Sequence, residues 1–99
     1  MEAEGTVRPT MNIEYTVQIW KEGKQFIAHA MPLDVMSAGA TPEQARLALD
    51  EAVRLFLATA EEKGTLEAIL LESGYRRTDE GWAGPEWVAT DRHSAVLGD

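Results

Sequence analysis

The four residues Thr41-Pro42-Glu43-Gln44 constrain this 99-residue chain more than any others. They form a capping box with proline at the first helical position. The Thr41 oxygen accepts from the third helical N–H, Gln44 reaches back, and proline lacks only an N–H that no carbonyl would have received. Behind the box, Ala45, Leu49, Ala52, Val53, Phe56 and Ala60 recur at three- and four-residue steps. That spacing is a single apolar stripe and predicts a helix of about six turns. Arg46, Asp50, Arg54 and Glu61 fall on the wet side, with Asp50 placed four residues ahead of Arg54 in the favourable order for an ion pair. Gly64 suits the left-handed position that closes a helix. Such a helix has one dry face and must lie against a second layer.

The residues before the box supply that layer. In residues 13–20, Ile13, Tyr15, Val17 and Ile19 alternate with Glu14, Thr16 and Gln18, the period-two pattern of a half-buried strand. Lys21-Glu22-Gly23-Lys24 reads as a turn. The returning strand, 25–31, sets Phe26, Ala28 and Ala30 on one face and Ile27, His29 and Met31 on the other. Pro32 ends it. A third short strand is expected over 33–38, closed by Gly39. After the long helix, Thr65 is placed to cap a shorter one through Leu66, Ile69, Leu70 and Leu71, which Gly74 ends. Residues 75–78 return to extended structure, Asp79-Glu80-Gly81 forms a turn before Trp82, and Trp87-Val88-Ala89-Thr90 reads as a last edge strand. The expected fold is therefore α+β in two layers: an antiparallel three-stranded meander, a long and a short helix, and one or two further strands. Residues 1–10 are expected to form a flexible N-terminal arm, 11–91 a single domain, and 92–99 a frayed tail. Either Met1 or Met11 can start the native chain.

Charge and composition then narrow the function. Nine basic and 17 acidic residues give a net charge of −8. That opposes binding to nucleic acid, which needs Lys and Arg against phosphate, and suits a basic protein partner. The sequence has no cysteine, hence no disulfide, thiolate metal site or Cys nucleophile. No signal peptide or membrane-length apolar run is expected, and the compartment expected is cytoplasmic.

Catalytic constellations find little support. His29 and His93 are the only histidines, one in mid-strand and one in the tail, without a second ligand at metal-binding spacing. Ser37, Ser73 and Ser94 lie in no nucleophile elbow. The helix carboxylates read as a solvated face, and Arg76-Arg77 is followed at once by Asp79-Glu80. The chain is expected not to be an enzyme, with no metal and no cofactor. Trp20 breaks the parity of the first strand's dry face and points away from the helices, while Trp82 and Trp87 flank a Gly-Pro turn. Tryptophan is enriched at binding hot spots. The expected partner interface is therefore Trp20, Trp82 and Trp87 together with the helix acids Asp50, Glu51, Glu61 and Glu62.

Several segments, in order, resemble the HicB antitoxin family: Tyr15-Thr16-Val17, a Gly-containing turn, Phe26-Ile27-Ala28, Pro32-Leu33, Ser37-Ala38-Gly39-Ala40-Thr41, and Glu43-Gln44-Ala45 opening a helix. Leu49-Asp50-Glu51-Ala52-Val53 and Gly64-Thr65-Leu66 continue the resemblance to short HicB-like proteins, which covers residues 13–90. It implies a partly degraded ribonuclease-H-like fold and a partner, the HicA toxin, a small basic ribonuclease whose active surface the antitoxin occludes. Many HicB members carry a C-terminal DNA-binding module. This sequence has none, so no direct nucleic-acid binding is expected. A homodimer or higher even oligomer is expected, because a short meander leaves strand edges open. The alternative reading is an orphan oligomeric domain of the same fold with no toxin partner.

Overall fold

The structure, a computed structural model, describes residues 11–98; the arm expected over 1–10 lies outside the described residues. Two three-stranded sheets and two helices make up the body. The strands are β1 (Asn12–Ile13), β2 (Thr16–Glu22), β3 (Gln25–Met31), β4 (Val35–Gly39), β5 (Arg76–Thr78) and β6 (Gly81–Ala83), and the helices are α1 (Pro42–Lys63) and α2 (Leu66–Glu72).

β2, β3 and β4 form the expected antiparallel meander. Gly23, with φ +64°, is the first of two loop residues between Glu22 and Gln25, where a hairpin turn favours glycine. The expected third strand begins later than its apolar pattern suggested: Leu33 is buried in the turn, and pairing starts at Val35. α1 lies across β4 and β3 and reaches β2. Ala28 and Ala30, fully buried under it, are small enough to let the helix axis come close to the strand. Ala45, Leu49, Val53 and Ala60 are the buried positions of α1, while Ala52 and Phe56 are half-buried.

The cap at α1 forms as expected. Thr41 Oγ1 accepts from the Gln44 N–H at 3.0 Å. Gln44 Oε1 accepts from the Ala40 N–H at 3.2 Å, one residue earlier than a capping box would place it. Gly64 closes the helix at φ +76°, its N–H donating to the Glu61 carbonyl. At α2, the Thr65 hydroxyl instead donates backward to the Ala60 carbonyl at 3.3 Å and makes no cap. The rotamer that makes this backward bond leaves the Thr65 oxygen without a hydrogen bond to the first turn of α2.

Three further expectations are corrected. The first strand is not one ladder: β1 pairs in parallel with β6 and β2 antiparallel with β3, the change of partner falling at Glu14 and Tyr15. The alternation of burial runs on through the change, so local pattern carries no trace of it. Next, Asp50 is not a wet-face partner of Arg54, although both border one cleft. It is half-buried and accepts from the Tyr15 hydroxyl. Finally, residues 87–90 form no strand. Regular structure ends at Ala83 and residues 85–98 are exposed; a strand there could not join β6, whose neighbours are already β1 and β5.

The core joins both sheets to the helices through Ala28, Ala30, Leu33, Leu49, Val53, Leu70, Tyr75 and Trp82. Tyr75 crosses to the N-terminal strand, its hydroxyl donating to the Glu14 carbonyl.

Candidate functional site

Opposite the buried row of α1 runs a second row at four- and three-residue steps: Leu47, Glu51, Leu55, Ala58 and Glu62, all exposed. Leu47 and Leu55 are each 60% exposed. Glu51 and Glu62 carry no ion pair among the described residues, whereas Glu43 is held by Arg46 at 2.6 Å and Glu67 by Arg77. A shallow hollow at the C-terminal half of this ridge is lined by Leu55, Ala58, Thr59, Glu61 and Glu62. Two leucines interleaved with unpaired carboxylates offer apolar knobs inside a negative field, the complement of an apolar hollow rimmed by Lys or Arg.

Beside the ridge, a cleft of about 390 Å³ opens where β1 meets α1 and α2, with Ile13, Leu57 and Leu66 as apolar walls and Asp50 and Arg54 at its polar side. Tyr15 donates to Asp50 Oδ1 there at 2.6 Å. Burial, and after it the bond to Asp50, push the Tyr15 hydroxyl up to about 12. Burial, helped by the charge of Glu14, pushes Tyr75 up to about 12 as well. These are the two tyrosines of the chain. A raised pKa in the folded state means that folding favours the protonated phenol. The stability it contributes is complete below the unfolded value of about 10 and falls away as pH rises from there toward 12. An alkaline titration of phenolate absorbance should therefore show no step near pH 10 in the folded chain, and stability should decline only above that pH. A tyrosine titrating at its ordinary value would mean that this packing does not form.

On the far side, the face of β2–β3–β4 turned away from α1 carries Trp20, Ile27, His29, Met31, Met36 and Ala38. Trp20 meets the His29 ring edge-on, centroids 6.0 Å apart. His29 Nε2 donates to Asp34 Oδ1 at 2.6 Å. Asp34 has φ +63°, in the left-handed region that Asp tolerates better than most residues, and its N–H donates to the Ala30 carbonyl at 2.7 Å.

The seven interface residues expected from sequence are thus scattered. Glu51, Glu61 and Glu62 share the ridge side of α1, and Asp50 lines the cleft. Trp20 lies on the opposite surface, and Trp87 stands half-exposed beside Pro32. Trp82 is a core residue, only 4% exposed, with the Arg77 guanidinium 4.6 Å from its ring centre, so it is not a surface anchor in this chain. Leu47 and Leu55 are not among the expected interface residues. The signal was present in their helical phase: both fall off the stripe that begins at Ala45. Among the described residues, no three His, Asp or Glu side chains converge where they would hold a metal ion, and no helix is long and apolar enough to cross a membrane. Comparison of the chain with protein-family models, with curated proteins and with solved structures finds no match in any of the three.

Proposed function

We propose that this chain is a non-enzymatic, HicB-like binding protein of the cytoplasm that neutralises a small basic HicA-type mRNA-cleaving toxin by covering its active surface. The observation that carries the reading is the α1 ridge: Leu47 and Leu55 exposed between the unpaired carboxylates Glu51 and Glu62, on a chain of net charge −8. The ribonuclease-H-like fold belongs to the same proposal. It is supported by the order of meander, long helix, short helix and closing strands, and by an N-terminal segment that pairs with β6 through β1 and with β3 through β2. The ridge works in two ways. Its carboxylates draw in a basic partner and speed encounter. Its leucines enter the partner's surface and slow release.

The test is binding to a HicA-like toxin, with rescue of growth on co-expression. Glu51→Lys with Glu62→Lys should lower mainly the association rate and its salt dependence. Leu55→Ala should mainly raise the dissociation rate, by about 30-fold if it anchors as a hot spot of about 2 kcal/mol. If Trp20→Ala alone weakens the complex, the sheet face replaces the ridge as the contact. If no complex and no rescue are seen, the antitoxin reading fails and the orphan oligomeric domain takes its place.

A further inference from the structure

The face of β2–β3–β4 turned away from α1 differs from the rest of the surface in charge. Its central rows, Gln18-His29-Met36 and Trp20-Ile27-Ala38, hold no carboxylate. Glu22 appears only at the hairpin tip, and Asp34 is bonded to His29 at the opposite end. The C-terminal segment, 85–98, leaves the body at the edge of this face: Pro85 and Trp87 line a hollow with Thr16, Met31 and Pro32, and Glu14 borders it. Trp87 thus shares a hollow with Met31, which lies on this face. Beyond it the segment is exposed throughout, with Val88, Val96 and Leu97 each at least 92% exposed. Its charged residues are Glu86, Asp91 and Arg92, so it carries one net negative charge of the chain's eight.

We propose that this sheet face and the arm formed by residues 85–98 together contact a second copy of the chain, each copy laying its arm across the other's sheet face. Charge distribution selects the occupant. Two copies at −8 repel, and they meet at least cost where carboxylates are fewest, over the central rows of this face and an arm of net charge −1; a basic partner is drawn instead to α1. Geometry agrees. An arm of 14 residues extends to about 46 Å, well beyond a face whose seven-residue strands span about 23 Å. Area agrees too. Two strands of seven residues and one of five cover only about 300 Å², below the roughly 800 Å² per partner of a stable interface, so face against face is insufficient and the two arms must supply the remainder. A two-fold axis pairs each arm with the other copy's face, which is the closed, self-complementary arrangement of a dimer.

Sedimentation velocity of the full chain across micromolar concentrations tests this. The native chain should sediment at twice its 10.9 kDa mass. Val88→Asp with Val96→Asp and Leu97→Asp places charge only on residues at least 92% exposed in the monomer, so thermal melts followed by circular dichroism should keep the monomer's midpoint. Its dimer should dissociate at concentrations about 30-fold higher. Trp20→Glu on the sheet face should do the same. An equimolar mixture of the arm variant and the face variant should recover part of the dimer that neither makes alone, since one intact arm then meets one intact face. A native chain that stays monomeric, an arm variant that dimerises as tightly as the native chain, or a mixture that recovers nothing would each overturn the proposal. Glu51→Lys with Glu62→Lys should leave the dimer intact, which separates this contact from the toxin-binding ridge.

Discussion

Gly39→Ala should destabilise the chain by about 3 kcal/mol or more, summing a large overpacking cost with a weakened cap. Gly39 ends β4 directly beneath the first turn of α1. A methyl group there would lie 2.5 Å from the Ala45 nitrogen and 2.8 Å from the Gln44 carbonyl carbon. Both are backbone atoms, and both belong to a turn already fixed: Gln44 N–H is held by the Thr41 hydroxyl and Ala45 N–H by the Thr41 carbonyl, each at 3.0 Å. Room for the methyl comes only if that turn lifts from the sheet, and lifting it exposes Ala45, which is fully buried. A domain of this size has about 5–15 kcal/mol in total. The urea midpoint should therefore fall by a large fraction, and an unchanged midpoint would mean that α1 is not seated on β4. The same contact explains why a glycine stands two residues before Thr41 in the Ser-Ala-Gly-Ala-Thr segment: β4 cannot run directly into a capped helix with a side chain at that point.

A loss of comparable size is expected for Trp82→Ala, about 3–5 kcal/mol. Trp82 pairs with Ile13 in one direction and with Arg77 in the other, and lies in the core shared by both sheets. Removing it opens a cavity where the two ends of the body meet. Trp87→Ala, on a half-exposed ring, should change stability by no more than about 0.5 kcal/mol. Thermal melts of the two variants discriminate their roles. If Trp82→Ala melted like the native chain, the ring would be a surface group after all.

The legible parts of this fold are those decided within a few residues. Thr41-Pro42-Glu43-Gln44 specifies the start of α1 through bonds that span three and four positions, and Gly64 ends it the same way. The alternation of Gln25–Met31 places Ala28 and Ala30 under the helix, as observed. What stayed hidden depends on distant partners. Nothing near Glu14 announces that the strand exchanges β3 for β6, because Ile13 and Tyr15 remain on the dry side in either arrangement. Residues 87–90 have strand-forming side chains but no free edge beside β6 to pair with. The candidate site follows the same rule. Glu51, Glu61 and Glu62 were placed on the wet side of α1 by phase alone. Asp50 was misassigned because its partner, Tyr15, lies 35 residues away. Leu47 and Leu55 are hard to read because leucine in an amphipathic helix ordinarily belongs to the core, and only their phase says otherwise.

The parallel pairing of β1 with β6 ties Asn12 to Gly81, near the two ends of the body. On the ribosome this sets an order of events. The meander and α1 are complete in sequence by Lys63, and their contacts are mostly between neighbours along the chain, the kind that form fast. β1 has nothing to pair with until Trp82 has emerged, and Tyr75 must arrive before the Glu14 carbonyl receives its bond. The earliest residues of the body are therefore among the last to settle. A nascent chain that stops short of β6 keeps its first strand half-paired and its Ile13 side chain uncovered. Closure of the second sheet thus reports that synthesis has passed Ala83, and it divides a finished molecule from a truncated one whose loose end is available to chaperones and proteases.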